Sequence, residues 1–301
     1  MISRKFIIWA CGLLFVFSSC AEDMVKPIEN DKDAPGTVQD VKTESLPGAV
    51  KFTYTLPSDP DLLYVLAKYT NKTGKVMEFR SSFYTNSVTV EGFGDTDTYK
   101  VELYTVDRSE NRSQPQIVEV APLTPPILSC YESLSVVSDF GGMTFEMDNK
   151  FKSDLAIYVC TPDELGDMVL AETFYSAREE IVYSVRGYDA VPRRFGIFLQ
   201  DKYGNETDTL FTELTPIYER ELDKTKFREM YLQNDSRVDS YDGKMEYVWN
   251  GRISKDGDSG GVGLHTGTGT KDGPAVFTFD LGVLAKLSRF ALWAIQDDKH
   301  F

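Results

Sequence analysis

The sequence predicts an all-β chain in which two tandem β-sandwiches precede an incomplete third β unit. Three observations carry this. Apolar residues recur at every second position, the period of a half-buried strand. Turn residues separate these runs. The whole pattern then returns after about 90 residues, the size of one seven-stranded sandwich. The chain has 301 residues, room for two or three domains. Its 42% hydrophobic content excludes a disordered chain, because that much apolar surface offsets the entropy of ordering. The net charge of -15 argues against a nucleic-acid binder, which needs a basic face to displace counterions from phosphates.

Residues 1–20 read as an address rather than as part of the fold. Arg4 and Lys5 precede an uncharged apolar run from Phe6 to Phe17. A bilayer span needs about 20 residues, so this shorter run matches the apolar core of a secretory signal. Ser18-Ser19-Cys20 closes it and resembles a bacterial lipobox, in which Cys20 is lipidated and becomes the mature N-terminus. Glu22 and Asp23 then resemble the surface-export signal of Bacteroidetes lipoproteins. Residues 21–34 are polar, lack a hydrophobic period and read as a solvated tether. Together these features imply a lipid-anchored protein of the outer membrane, exposed on the cell surface.

Residues 35–121 form the first strand-rich unit. Val50, Phe52 and Tyr54 alternate with Lys51 and Thr53; Tyr99, Val101 and Leu103 alternate with Lys100 and Glu102. Pro57-Ser58-Asp59-Pro60, Asn71-Lys72-Thr73-Gly74 and Gly92-Phe93-Gly94-Asp95 supply turns. Residues 122–218 repeat the pattern. Phe195, Ile197 and Leu199 stand where Val101, Leu103 and Thr105 stand in the first unit. Both runs end in Asp-x-x-x-Asn-x-Ser/Thr, at Asp107–Ser113 and Asp201–Thr207, a loop whose Asp and Asn side chains bond nearby backbone. Gly48-Ala49-Val50 likewise matches Gly141-Gly142-Met143. No helix is expected before residue 217, and Pro122–Pro126 reads as a stiff linker.

Those motifs, with Pro35-Gly36-x-Val38 and Tyr99 at the start of a sixth strand, resemble the immunoglobulin-like sandwich of fibronectin type III domains. The tryptophan usual in the second strand is absent, with Tyr54 nearby. Residues 219–301 differ. A charged connector contains one helical turn around Lys224–Leu232, and strands are expected at Pro274–Gly282 and Leu287–Ile295. The Pro-x-x-x-x-x-Asp-Leu-Gly and Leu-x-x-Phe-x-Leu-Trp runs resemble the discoidin-like (coagulation-factor type C) jelly roll, a galactose-binding-like fold. Trp249-Asn250-Gly251 takes the place of that family's Asp-Gly turn. Such a domain is longer than the segment present, so the chain is expected to continue past Phe301.

The chemistry-bearing residues are few. The glycine-rich loop Gly257–Gly273 lacks the Gly-x-x-x-x-Gly-Lys-Ser/Thr spacing of a phosphate loop, and Asp256-Gly257-Asp258 lacks the ligands of an EF-hand. By its resemblance to discoidin-like domains, a structural calcium ion would draw on Asn250, Ser254 and Asp256. Arg252 and His265 in loops are candidate polar contacts for a ligand. Trp249 is either a sugar platform or a core residue. Cys130 and Cys160 either pair in the oxidising compartment or are small buried hydrophobes; Cys160 ends an alternating run that suits the core. No Gly-x-Ser-x-Gly, His-Glu-x-x-His or Cys-His arrangement is present, and His265 and His300 are the sole histidines. The expectation is a non-enzyme without a cofactor.

Two functions are implied by the resemblance, which suits Bacteroidetes lipoproteins that accompany polysaccharide uptake. In the first, the sandwiches are a spacer and the discoidin-like end binds a glycan. In the second, the sandwiches contact an outer-membrane transport protein and no sugar is bound. A third reading, an accessory fragment of a longer glycoside hydrolase, depends on whether a catalytic domain lies beyond residue 301.

Overall fold

The fold was obtained as a computed structural model, and residues 31–238, 243–252 and 275–292 are described. The first sandwich holds seven antiparallel strands: β1 (Gln39–Leu46), β2 (Ala49–Thr55), β3 (Leu62–Thr70), β4 (Val76–Ser82), β5 (Ser87–Glu91), β6 (Tyr99–Asp107) and β7 (Gln116–Val120). They form a β1-β2-β5 sheet and a β4-β3-β6-β7 sheet. The alternation read in the sequence sets which faces meet. Val50, Phe52 and Tyr54 of β2 turn inward against Val65, Ala67 and Tyr69 of β3 and Val101 and Leu103 of β6, all buried. Phe93 stacks on Tyr69 at 4.4 Å between ring centroids, so aromatic bulk fills the place of the missing tryptophan. Tyr99 opens β6 and donates its hydroxyl to Asp95 Oδ1 at 2.9 Å.

The second sandwich repeats this order with β8 (Ser135–Asp139), β9 (Gly142–Asp148), β10 (Leu155–Pro162), β11 (Met168–Ser176), β12 (Glu180–Arg186), β13 (Arg193–Asp201) and β14 (Leu210–Leu214). The sheets are β12-β9-β8 and β11-β10-β13-β14. Its core is Phe145, Ile157, Val159, Phe195, Ile197 and Leu199 with their neighbours. The hydrogen bonding repeats too. Asn71 N and Asp163 N bond the carbonyls of Lys75 and Asp167 in equivalent turns. Ser113 Oγ and Thr207 Oγ1 accept from the backbone of Thr105 and Leu199.

Several expectations need correction. A helix, α1 (Pro126–Glu132), lies where none was expected. Pro126 at its first turn needs no donor, and the helix buries Ile127 and Cys130 under the second sandwich. Pro122–Pro126 is tied to the first sandwich through Leu123. Leu123 exchanges backbone hydrogen bonds of 3.0 Å with Leu46 and Gly48 of the first sandwich. The same clamp recurs as Ile217 with Asp139 and Gly141. Asp31, within the segment read as a tether, meets the first sandwich: the Asn111 amide donates to its Oδ1 at 3.0 Å. Cys160 is not a core residue: the inward positions of β10 are Leu155, Ile157 and Val159, which turns Cys160 to the outer face. Cys130 and Cys160 are both free thiols.

In the third segment, a 3-10 turn at Lys224–Lys226 falls within the expected helical turn. β15 (Arg228–Met230) pairs with β16 (Thr278–Asp280), shorter than the strand expected at Pro274–Gly282. Residues 287–292 are not a strand, and the remainder of that run, with Trp293, lies outside the described residues. Among the described residues no helix is long and apolar enough to cross a membrane.

Candidate functional site

Of the residues singled out for ligand or metal binding, Trp249, Asn250 and Arg252 are described; Cys20, Ser254, Asp256 and His265 lie outside the described residues. A 3-10 turn at Met245–Val248 delivers Trp249, and Met245 within that turn is buried. The indole lies 5.8 Å from the Phe227 ring and 5.1 Å from Phe279, so β15's flank, β16 and this turn share one aromatic cluster. Trp249 is half-buried there. The Asn250-Gly251 step is a turn, as its sequence implies. Gly251 adopts a φ of 78°, and Arg252 N donates to Asn250 Oδ1 at 2.8 Å. That bond engages the oxygen that would serve as a ligand.

Glu219 organises the approach to this segment. Its carboxylate meets Arg289 at 3.1 Å, Ser288 Oγ at 2.7 Å and Arg186 at 3.9 Å. Arg186 also pairs with Asp139 at 2.7 Å. Sequence reasoning missed this network because its bonded pairs stand 33 to 70 residues apart.

A third cluster was not anticipated. The carboxylates of Asp31, Asp61 and Asp107 lie within 4.8 Å of one another. Asp107 is fully buried, and its Oδ1 accepts from the backbone of Ser109 and Asn111, both at 2.8 Å. Asn111 Nδ2 bridges Asp107 Oδ2 at 2.9 Å and Asp31. The repeated loop shows what this geometry does. Asp201 Oδ1 holds the backbone of Tyr203 and Asn205 at 2.9 Å, and Asn205 Nδ2 reaches the Gly92 carbonyl at 3.1 Å. In both copies the Asn amide fastens the preceding segment.

The second instance joins the sandwiches. Tyr203 donates its hydroxyl to the Glu91 carboxylate, and burial followed by that carboxylate pushes its pKa well above the ordinary tyrosine value. Gly92 adopts a φ of 84°, and a Cβ there would stand 2.8 Å from the Tyr203 ring. On the other side Ser45 Oγ bonds the Ala121 carbonyl at 2.7 Å, and the turn at Gly48 packs on Pro125 and Pro126. The junction is thus held by hydrogen bonds and packing on two flanks.

A cavity of about 60 Å³ under α1, lined by Ser129, Cys130, Asp148 and Phe151, is far below the roughly 300–1,000 Å³ of ligand pockets. Burial pushes the Cys130 thiol up to about 11, which keeps it protonated and poorly nucleophilic.

Residues 35–122 match the family model described as a domain of unknown function (DUF4959), and residues 123–225 match a second such domain (DUF5126). No curated protein matches the chain. Among solved structures the chain is similar to a SusE-like protein, with 29% identity, 54% of this chain and 57% of that chain covered, and a TM-score of 0.33. The chain therefore spans little more than half the length of that protein. It is also similar to a two-domain fibronectin type III segment of chicken tenascin, at 12% identity, 60% and 99% coverage and a TM-score of 0.29. The fibronectin domain of human collagen alpha-1(XX) gives 14% identity, 32% and 93% coverage and a TM-score of 0.27.

Proposed function

We propose that this is a non-catalytic, lipid-anchored protein of the outer membrane surface. In this reading two coupled sandwiches form a stiff spacer and hold a glycan-binding C-terminal segment away from the membrane. The observation that carries the spacer is the junction between the sandwiches. A flexible linker would leave Tyr203 and Asn205 without partners on the first sandwich, whereas both bond it. The leader ending in Cys20 supports the anchor, and the discoidin-like motifs with Trp249, Arg252 and His265 support the sugar site. A calcium ion near Asn250, Ser254 and Asp256 would brace the loop that carries Arg252.

The test uses the full-length protein with calorimetry against oligosaccharides and polysaccharides. Saturable binding is expected, weakened at least about tenfold by Arg252→Ala with His265→Ala, a loss of one to two charge-assisted hydrogen bonds. Absence of binding across plant, host and microbial glycans overturns the sugar site. Separately, Cys20→Ala is expected to move the protein from the membrane fraction to the soluble one, and an unchanged membrane fraction overturns the anchor.

A further inference from the structure

The two sandwiches share one topology, yet the outer faces of their four-stranded sheets differ in character. In the first, Glu78, Lys68, Glu102 and Ile117 lie side by side across β4, β3, β6 and β7. Opposite charges alternate there, which solubilises an exposed sheet face. The equivalent row in the second sandwich is Leu170, Cys160, Gly196 and Phe211 across β11, β10, β13 and β14. Three charges of the first copy are thus replaced by apolar or small residues at matching register. Tyr158 and Phe198 form the next row and stack at 4.7 Å. Leu170 is 56% exposed and Tyr175 74%.

This face is also prearranged. A Cβ on Gly196 would stand 2.9 Å from the Phe211 ring, so the glycine lets that ring lie flat on the sheet. The Arg194 guanidinium sits 4.0 Å over the same ring. An exposed apolar face on a folded module marks a contact surface, since water is displaced from it at little ordering cost. Beyond Arg194, which Glu213 opposite it offsets, its surroundings are acidic: Glu206 bonds Gln200, and Glu164 and Asp167 stand in the β10–β11 turn.

We propose that the outer face of the β11-β10-β13-β14 sheet docks a partner protein whose contact surface is apolar at its centre and basic at its rim. The acidic rim selects the occupant. A second copy of this chain would set like charges against each other around the contact, whereas a basic rim is steered toward it. The proposal goes beyond the spacer reading and stands whether or not the C-terminal segment binds a sugar.

Cys160 lies in the middle of the row and supplies the readout, with buried Cys130 as the internal control. Maleimide labelling of Cys160 is followed by mass spectrometry in intact cells that express the full-length protein and in the purified protein. In cells, labelling is expected to be slower by about tenfold, as nine-tenths occupancy of the face requires. Raising the salt concentration should lift this protection, because the rim contacts are screened. Leu170→Glu, which restores the charge of the first copy, should equalise the two rates; Phe211→Ser on the opposite edge strand is the second variant, and both are checked for unchanged melting. Equal rates for the wild type in cells and in solution overturn the proposal. So does slow labelling of the purified protein that tracks a dimer mass in light scattering, or protection abolished by enzymatic removal of cell-surface glycans.

Discussion

Asp139 shows how a single side chain braces the end of a sandwich from which the C-terminal segment departs. Its Oδ2 accepts from Thr144 Oγ1 at 2.8 Å, Ser184 Oγ at 3.2 Å and Arg186 at 2.7 Å. Burial alone would raise its pKa. The Phe140 N–H, Thr144, the Arg186 guanidinium and Ser184 outweigh that and hold the carboxyl below its ordinary value. A carboxyl depressed in the folded state stabilises above its unfolded pKa of about 3.9, and the contribution fades as pH falls through the folded value. Urea titrations should therefore show Asp139→Asn less stable than wild type at pH 7, with the gap narrowing as pH falls below about 4. A gap independent of pH would mean that the carboxylate's charge contributes nothing. The sequence carries no sign of this residue's role, because its partners come from β9 and β12, and β12 lies more than 40 residues away.

At the scale of elements, the short helix α1 replaces a stretch that reads as linker. Period-two patterning cannot announce a seven-residue helix between two sandwiches, and the proline pair is equally at home in a linker or at a helix start. What makes it a helix is burial. Ile127 is 2% exposed and Cys130 1%, both within the second core. Isolated, so short a helix would not persist. Ile127→Ala should cost about 2–5 kcal/mol of the second sandwich's stability, as large-to-small core changes do. Guanidinium denaturation of the full chain checks this, and a loss below about 1 kcal/mol would show that burial of Ile127 contributes little. Strands were more legible than the helix. The facing residues of β2, β6, β9 and β13 follow from alternation alone, since a one-residue slip would turn each apolar set to water. Cys160 shows the same dependence on register from the other side: apolar in type, it falls on the outward parity of β10.

For the whole molecule, the decisive feature is that equivalent loops make equivalent attachments. The Asp107–Asn111 loop fastens the incoming tether, and the Asp201–Asn205 loop fastens the first sandwich. Coupling through such a junction makes two modules melt together when its free energy rivals the difference between their own stabilities. Tyr203→Phe with Asn205→Ala removes two cross-module bonds, one of them to a carboxylate, worth about 1–3 kcal/mol. Calorimetry should then show two transitions in place of one, and small-angle scattering a broader range of dimensions. A single unchanged transition would mean that the clamp through Leu123 suffices by itself.

The sequence by itself determined the all-β class, the doubled sandwich and the strand faces. Those depend on local alternation and turn chemistry, which each segment carries within a few residues of itself. It also marked the Asp-x-x-x-Asn loops, because their bonds to nearby backbone are local. Only the tertiary structure decided where Asn111 and Asn205 send their remaining donors. The same holds for Trp249 meeting Phe227 and Phe279, and for Leu170, Cys160 and Phe211 forming one row. Each of these depends on which strand lies beside which and in what register. Such pairing is a property of the closed sheet, reached only after distant segments have paid the entropy of coming together.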